Sequence, residues 1–154
     1  MSTPFERRGI SFAAATPERL PDIARFLGEA SLPADDLEPA NLSGFELALD
    51  GGSRIVGTAG LDIHGSEALL RSVAVVADWR GQGLGADLVA RRETAARGAG
   101  VDAIYLLTTT ADAFFRRLGY ADTPRETVPS AVAAHAQFRS LCPASAKCLG
   151  KRLR

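Results

Sequence analysis

Three glycines within five residues separate a valine-rich segment from an amphipathic one. Residues 79–86 read WRGQGLGA, and the apolar residues that follow recur at helical spacing. Because glycine lacks a Cβ atom, this density indicates that something must approach the backbone closely. The stretch therefore predicts a strand-to-helix connection, and the free N–H groups at the helix start can bind an anion such as a phosphate.

Three other interpretations of this stretch are possible from its residues. A P-loop is excluded because no Gly-Lys-Ser/Thr follows the glycines. A dinucleotide fingerprint fits Gly81, Gly83 and Ala86, with Asp112 within range of a ribose-binding acid. However, four residues separate the strand from the first glycine, and too little chain follows for several parallel βαβ units. A simple tight turn remains the third interpretation, although one or two glycines would suffice for it.

Hydrophobic periodicity over the whole chain predicts a mixed α/β fold. Strands are predicted at Ile10–Ala15, Phe45–Leu49, Arg54–His64, Ala68–Val76, Ala103–Thr108, Tyr120–Asp122 and Ala146–Leu149. Helices are predicted from Thr16 to about Ala30, after the glycines with apolar residues Leu84, Leu88, Val89, Ala95 and Ala96, at Ala111–Leu118, and near Ser130–Leu141. The turn signals Asp50-Gly51-Gly52 and His64-Gly65-Ser66 predict an antiparallel N-terminal half that passes into a parallel pair. We expect a central mixed sheet of six to seven strands flanked by helices.

Composition limits the classes of function. The 154 residues are 46% hydrophobic and 23% charged, with a formal net charge of zero, so we expect neither a nucleic-acid nor a membrane partner. Residues 1–9 are predicted to be a flexible tail and residues 10–154 a single domain. Cys142 and Cys148 make no disulfide framework, which favours the cytoplasm.

Two motifs resemble those of the GNAT superfamily of N-acetyltransferases. Val73-Ala74-Val75 followed by Arg80–Gly85 is similar to the acetyl-CoA signature R/Q-x-x-G-x-G/A, which follows a strand of L-x-V type. Residues 113–120, AFFRRLGY, resemble the A-x-x-F-Y-x-x-x-G-F/Y segment of that superfamily. The motifs occur in the family's order, and the resemblance covers residues 10–125.

The resemblance implies a GNAT-like fold in which the fourth and fifth strands splay apart and admit the pantetheine of acetyl-CoA. It assigns cofactor binding to Val73, Ala74, Val75, Arg80, Gly81, Gln82, Gly83, Leu84, Gly85, Ala86 and Phe115. The implied reaction is direct transfer of an acetyl group to an amine. Such an enzyme keeps the amine neutral, stabilises an oxyanion and returns a proton to the departing thiolate.

The resemblance also shows where this chain departs from the pattern. Phe115 occupies the position of the usual proton-donating tyrosine, and Tyr120 is the conventional packing aromatic. Thr108 and Thr110, at the end of the predicted fifth strand, are therefore candidate catalytic hydroxyls, with Thr109 as a substrate contact. The alternative for all three threonines is strand propensity and helix capping.

Arg71 stands where many relatives have a carboxylate. By strand alternation Arg71 shares a face with Val73 and Val75, and an arginine there favours an acceptor that carries an anionic group. The alternative is a structural ion pair with Glu67 or Asp62. The base is then sought at Asp62 or His64, whereas His135 is interpreted as a residue without a special role.

A narrower resemblance links the chain to GNAT proteins associated with arsenic-resistance operons. It is carried by Leu69–Val75, Tyr105–Thr110 and Ser140–Ala146. It implies an amino acid, or an arsenic or phosphorus analogue, as the acceptor, and relatives of this kind are often homodimers. Cys142 and Cys148 then become speculative arsenic contacts, although buried packing is the more common role of free cysteines.

We therefore predict an acyltransferase that uses acetyl-CoA and a small amine acceptor, with no metal. The alternative is a non-catalytic acyl-CoA- or arsenic-responsive binding protein.

Overall fold

The computed structural model describes residues 4–142 and 144–153, with the backbone alone at residues 140 and 141. Its centre is a seven-stranded sheet with strand order β1-β2-β3-β4-β5-β7-β6. The strands are β1 Ser11–Ala14, β2 Phe45–Leu49, β3 Ile55–His64, β4 Glu67–Val75, β5 Ala103–Thr108, β6 Ala121–Asp122 and β7 Lys147–Arg152. The predicted mixed α/β fold is confirmed.

Five α-helices accompany the sheet in the described part of the chain. They are α1 Pro4–Arg7, α2 Leu20–Glu29, α3 Leu84–Gly98, α4 Asp112–Arg117 and α5 Ser130–Ala133. A π-helical turn occupies Gln137–Leu141, and 3-10 turns lie at Pro17–Arg19, Pro39–Gly44, Ala77–Trp79 and Arg125–Thr127. Within residues 4–142 and 144–153, no helix is long and apolar enough to cross a membrane.

The pairing of the strands distinguishes this sheet from a dinucleotide-binding fold. Strands β1 and β2, and β2 and β3, pair antiparallel, as do β5 and β7. The parallel pairing of β4 with β5 runs from Glu67↔Ala103 to Leu69↔Tyr105. A dinucleotide fold needs several parallel βαβ units, so the sheet excludes that interpretation of the glycines.

The chain divides into two compact units. The first comprises the residues up to Gly60 together with Ser72–Arg92. One of its core clusters joins the apolar side of α2 to β2 through Ile23, Leu27, Phe45 and Leu47. A second cluster packs Leu84 and Leu88 of α3 against Ile10, Ala48, Val56 and Ala59. Burial of these side chains fixes the first part of α3, and therefore the glycine stretch before it, within the first unit.

The second unit comprises Leu61–Arg71 and the residues from Glu93 onward. Its core cluster contains Leu69, Val128, Val132 and Cys148, with Tyr105 packed against it. Glu93 of α3 is also buried there, at 7% exposure. The sequence had placed Ala95 on the buried face of this helix, but Ala95 is exposed.

Strand β4 has an irregular backbone conformation at Ser72. This residue has a φ of 57°, in the left-handed region, and its carbonyl accepts a hydrogen bond of 2.7 Å from Thr58 Oγ1. Regular alternation of side chains requires extended backbone throughout a strand. The alternation that placed Arg71 on one face with Val73 and Val75 therefore does not continue through this point.

Candidate active site

The glycine stretch of the first unit forms an open backbone turn at the start of α3. Gly81 and Gly83 have φ angles of 73° and 90°, and a Cβ atom built on Gly81 would meet nothing within 4 Å. Helix α3 begins at Leu84, whose side chain is almost fully buried. The N–H groups of the first helical turn have no intrahelical acceptor. The turn thus offers backbone donors beside open space, which suits a diphosphate.

Two side chains of the turn fix its backbone. Arg80 Nε donates a 2.9 Å hydrogen bond to the carbonyl of Val75, and Gln82 Nε2 donates a 2.8 Å bond to the carbonyl of Asp78. The first bond connects the glycine turn to the end of β4. The second connects it to the 3-10 turn at Ala77–Trp79, which lies between β4 and the glycines. Arg80 is exposed, so its guanidinium is held at the turn and still faces solvent.

The N-terminal segment contacts the same turn, which the sequence did not predict. The Arg8 guanidinium lies 4.5 Å from the centroid of the Trp79 ring and donates a hydrogen bond to Gln82 Oε1. The Phe5 ring lies 6.3 Å from that of Trp79, and its Cζ is 3.8 Å from a Cβ built on Gly83. Residues 5 and 8 belong to the segment 1–9, which the sequence predicts to be a flexible tail. Residues 1–3 of that segment lie outside the described part of the chain.

The strand before the turn is packed from one side. Val73 and Val75 lie against the cluster that contains Leu84 and Leu88. The predicted pantetheine contacts of Val73, Ala74 and Val75 concern their backbone, and the Val75 carbonyl is already bonded to Arg80. The side-chain packing therefore explains why these positions are apolar independently of any ligand.

The second unit brings two of the predicted acceptor-site residues, Arg71 and Asp62, together with His135. Arg71 has a side chain that is 1% exposed, and its Nη1 lies 3.7 Å from Asp62 Oδ2. The same Oδ2 is 2.7 Å from Nε2 of His135. Asp62 is one of the two residues, with Glu67, that the sequence offers as partners if Arg71 forms a structural ion pair. A guanidinium carries several N–H donors, so an anion could share it with Asp62.

His135 has its tautomer set by two neighbours. Its Nδ1 accepts a 3.0 Å hydrogen bond from the backbone N–H of Gln137, so the proton of the neutral ring is on Nε2 and is donated to Asp62. Asp62 Oδ2 consequently faces two donors. The interpretation of His135 as a residue without a special role missed this contact, because its partner Asp62 is 73 positions away in the sequence.

His64 lies beside this cluster. Its ring is 6.2 Å from that of His135, in an edge-to-face arrangement. Among the residues that the structure describes, the buried Nε2 of His64 has no hydrogen-bond partner. Of the two candidate bases, His64 therefore has a nitrogen without a hydrogen-bond partner among the described residues, whereas Asp62 accepts a hydrogen bond from His135 and forms an ion pair with Arg71.

The three threonines lie at the end of β5. Thr108 is the last residue of the strand, and its Oγ1 accepts a 3.0 Å hydrogen bond from the backbone N–H of Ala111, just before α4. Thr109 and Thr110 are exposed. The Thr108 oxygen accepts this hydrogen bond at the start of α4, and the hydroxyl proton of the same group can still be donated to another acceptor.

Phe115 and Tyr120 belong to a buried aromatic group. The Phe115 ring is 5.8 Å from that of Tyr120. The Tyr120 hydroxyl donates a 2.9 Å hydrogen bond to Glu93, which also accepts from Lys151 Nζ at 3.0 Å. Burial, and next the charge of Glu93, raises the pKa of Tyr120, so this hydroxyl stays protonated. The hydrogen bond of the Tyr120 hydroxyl to buried Glu93 gives this tyrosine a structural role.

Asp112, the candidate ribose-binding acid of the dinucleotide interpretation, forms ion pairs with two basic side chains. Its Oδ2 accepts a 3.0 Å hydrogen bond from Lys147 Nζ, and Arg116 Nε is 3.7 Å away. The hydrogen bond from Lys147 is the main reason that the pKa of Asp112 is lowered.

The two cysteines are in different environments. Cys142 Sγ donates to Gln137 Oε1 at 3.1 Å, whereas Cys148 is buried in the core of the second unit. Burial raises the pKa of the Cys148 thiol, which disfavours the thiolate that binds soft elements. Within the described residues, no group of three or more histidine, cysteine or acidic side chains could hold a metal ion.

Solved structures of known proteins share this fold. N-acetylglutamate synthase from Neisseria gonorrhoeae, complexed with coenzyme A and N-acetyl-glutamate, superposes with a TM-score of 0.79 at 21% identity, over 94% of this chain and 35% of that one. A GNAT acetyltransferase from Staphylococcus aureus gives 0.74 at 19% identity, over 94% and 99%. Rv2747 from Mycobacterium tuberculosis, in a complex that includes CoA, gives 0.73 at 18% identity, over the same shares. At these identities the likeness concerns the fold.

A curated relative gives a shorter match. The uncharacterized N-acetyltransferase CT2212 of Chlorobaculum tepidum is 34% identical over 65 residues, which are 42% of this chain and 41% of that protein. The chain thus matches less than half of the length of that relative. A family model for the acetyltransferase (GNAT) domain matches residues 43–122, more than half of the chain, and this range includes the glycine turn and both predicted motifs. The chain therefore belongs to the GNAT acetyltransferase family.

Proposed function

We propose that the chain transfers the acetyl group of acetyl-CoA to the amine of a small acceptor that carries an acid group. The observation that carries this proposal is the buried Arg71 guanidinium, which forms a cluster with Asp62 and His135. The His135 ring lies 6.2 Å from the ring of His64, whose Nε2 is unpaired among the described residues. A buried cation favours an anionic group, and an unpaired imidazole nitrogen can accept a proton from an amine.

The donor half of the reaction rests on the first unit. Gly81, Gly83 and the first turn of α3 would hold the diphosphate of coenzyme A, with Arg80 as an added cation. A Cβ atom built on Gly81 would meet nothing within 4 Å, so a ligand can approach the backbone there. Acetyl-CoA, the acetyl donor of this family, supplies a thioester carbonyl that an amine can attack.

The acceptor half rests on the second unit. Arg71 would bind the acid group, and His64 would take a proton from the amine nitrogen as that nitrogen forms its bond to the acetyl carbon. Asp62 is then a positioning residue, held between Arg71 and His135. The gonococcal neighbour is complexed with an N-acetylated amino acid, which supports an amino acid as the class of acceptor.

Acetyl-CoA turnover with a panel of acceptors tests the proposal. The panel contains amino acids with acidic, amide and apolar side chains, together with amino-arsonate and amino-phosphinate analogues. Release of free thiol together with a mass shift of the acceptor is expected for at least one acid-bearing amine. Binding of CoA without any turnover would instead favour the alternative of a non-catalytic acyl-CoA-binding protein.

The arsenic and phosphorus analogues form the narrower part of the proposal. Arginine binds carboxylate and other oxyanions by the same paired N–H donors, so Arg71 can serve an arsonate or a phosphinate as well. Preferred turnover of such an analogue over its carboxylate counterpart would support a role in resistance to arsenic compounds. Equal or poorer turnover would leave an ordinary amino acid as the acceptor.

Replacing His64 by asparagine should lower kcat by about 100-fold, the usual contribution of a general base. The Asp62→Asn variant should lose less, because an amide oxygen can still accept from His135. Steady-state kinetics with saturating acetyl-CoA, alongside the Kd for CoA, provide the measurement. A larger loss in Asp62→Asn than in His64→Asn would assign the base to Asp62.

We propose that the hydroxyls of Thr108 and Thr110 pass a proton from solvent to the departing thiolate, because Phe115 cannot donate and Thr110 is exposed. We expect Thr108→Val or Thr110→Val to lower kcat by about tenfold or more, as the loss of a general acid does. Serine at the same position should restore the rate. If both valine variants transfer acetyl at the wild-type rate, neither hydroxyl takes part.

A further inference from the structure

Gln137 of the second unit carries a buried amide with one end unused. The residue is 6% exposed, and its Oε1 accepts a hydrogen bond from Cys142 Sγ at 3.1 Å. Its Nε2 is buried and has no hydrogen-bond partner within the residues that the structure describes. Buried side-chain donors are nearly always paired, so an unpaired one requires an explanation.

The position of Gln137 connects this donor to the acceptor site. Its backbone N–H donates to His135 Nδ1 at 3.0 Å, and His135 in turn donates to Asp62, the partner of Arg71. Gln137 also begins the π-helical turn that extends to Leu141. Short π-helical segments are rare and are found frequently at functional sites. Gln137 is therefore joined through its backbone and His135 to the cluster that contains the proposed anion site.

A ligand oxygen is the simplest partner for this donor. Burying an amide N–H without a hydrogen-bond acceptor costs free energy, because the group loses its bond to water. A bound molecule that supplies an acceptor removes this cost. Arg71, which is joined to Gln137 through Asp62 and His135, selects the same kind of molecule, one with oxygen atoms that carry negative charge or partial charge.

We infer that Gln137 Nε2 is a specificity-determining donor of the acceptor site. The acceptor then carries two oxygen-bearing groups: an acid group at Arg71 and a carboxylate or carboxamide at Gln137. Amino acids such as aspartate, glutamate and their amides have this chemistry. The inference rests on the proposed function, since it names the acceptor of the same reaction.

The Gln137→Met variant tests it, because methionine has a similar length and no donor. The probes are L-glutamate, L-glutamine, L-aspartate and L-asparagine against L-norvaline and L-norleucine, which lack the side-chain oxygen. We expect wild type to prefer at least one oxygen-bearing probe, and the variant to lose about 10- to 100-fold of that preference in kcat/KM, the range for one hydrogen bond. The KM for acetyl-CoA should stay within about twofold.

Thermal unfolding separates this role from a structural one. If Nε2 serves only a ligand, Gln137→Met without acceptor should unfold close to the wild-type temperature, since removal of an unpaired buried donor offsets loss of the weak hydrogen bond from Cys142 to Oε1. A lower unfolding temperature combined with an unchanged preference would show a structural residue and overturn the inference.

Cys142 provides matched controls for the orientation of the amide. Cys142→Ser keeps a donor for Oε1 and should keep the preference, whereas Cys142→Ala should weaken it. A preference of wild type for L-ornithine, whose side chain only donates, would overturn the assignment of Nε2. Turnover of L-norleucine and L-glutamate at equal rates in wild type overturns this inference alone, while the absence of turnover with every probe overturns the proposed function as well.

Discussion

The Gly83→Ala variant is expected to bind CoA about 100-fold more weakly, a loss of about 2.8 kcal/mol. Gly83 has a φ of 90°, which a residue with a Cβ atom adopts only at a cost of about 1–2 kcal/mol. Alanine will therefore push the turn toward a more ordinary conformation. That movement turns the N–H groups at the start of α3 away from the diphosphate, and isothermal titration with CoA measures the result.

Gly28→Ala is the matched control for this experiment. Gly28 lies on the exposed surface of α2, its φ is not positive, and a Cβ atom there would meet nothing within 4 Å. This substitution should stabilise the fold by about 0.5–1 kcal/mol through helix propensity and leave the Kd for CoA unchanged. A Gly83→Ala protein that is folded by circular dichroism and binds CoA within threefold of wild type would contradict the assignment of this turn to the donor.

The glycine turn before α3 was predictable because the residues that indicate it are close together in the sequence. Glycines at 81 and 83, a helix start at Leu84 and a valine-rich strand before them all lie within fifteen residues. Positive φ angles and an open helix N-terminus follow from those residues with little help from the rest of the chain. The hairpin between β2 and β3 was predictable for the same reason, since Asp50 Oδ1 accepts from the backbone of Gly52 and Arg54 within the turn itself.

Burial of charged residues was less predictable. The helical pattern placed Ala95 toward the core because it is apolar, yet Glu93 is the buried residue. Glu93 can be buried because Tyr120 and Lys151, 27 and 58 positions away, both donate to its carboxylate. Hydrophobic spacing carries no information about such distant donors, so it misassigned Ala95 and missed Glu93. It placed correctly the other apolar residues of this face, Leu84, Leu88, Val89 and Ala96.

The acceptor cluster depended on the same kind of long-range contact. Asp62, His64 and Arg71 were proposed individually, but their relation to His135 and Gln137 appears only when α5 and the π-helical turn pack in the second unit. Ser72 shows a further limit of the sequence. Nothing in a serine indicates a φ of 57°, so alternation along β4 could not be followed past it.

Replacing Arg71 by leucine is expected to lower kcat/KM for an acid-bearing acceptor by about 1,000-fold, the loss typical of removing one partner of a buried charge pair. The Arg71 side chain is 1% exposed, and Asp62 would be left with His135 as its donor. The variant should also lose about 2–4 kcal/mol of stability, because the Asp62 charge stays largely buried without a cation. Urea unfolding and steady-state kinetics measure the two effects, and the Kd for CoA should remain at the wild-type value.

The double variant Arg71→Leu/Asp62→Asn separates the two roles of the arginine. Asparagine removes the uncompensated charge and can still accept from His135 Nε2, so most of the lost stability should return. Activity toward acid-bearing amines should not return, because the cation that binds the acid group is still missing. If Arg71 served only to neutralise Asp62, the double variant would recover stability and kcat/KM together. Recovery of stability without recovery of kcat/KM therefore assigns Arg71 to the acceptor, and the parallel Asp62→Asn variant shows how much activity the carboxylate alone contributes.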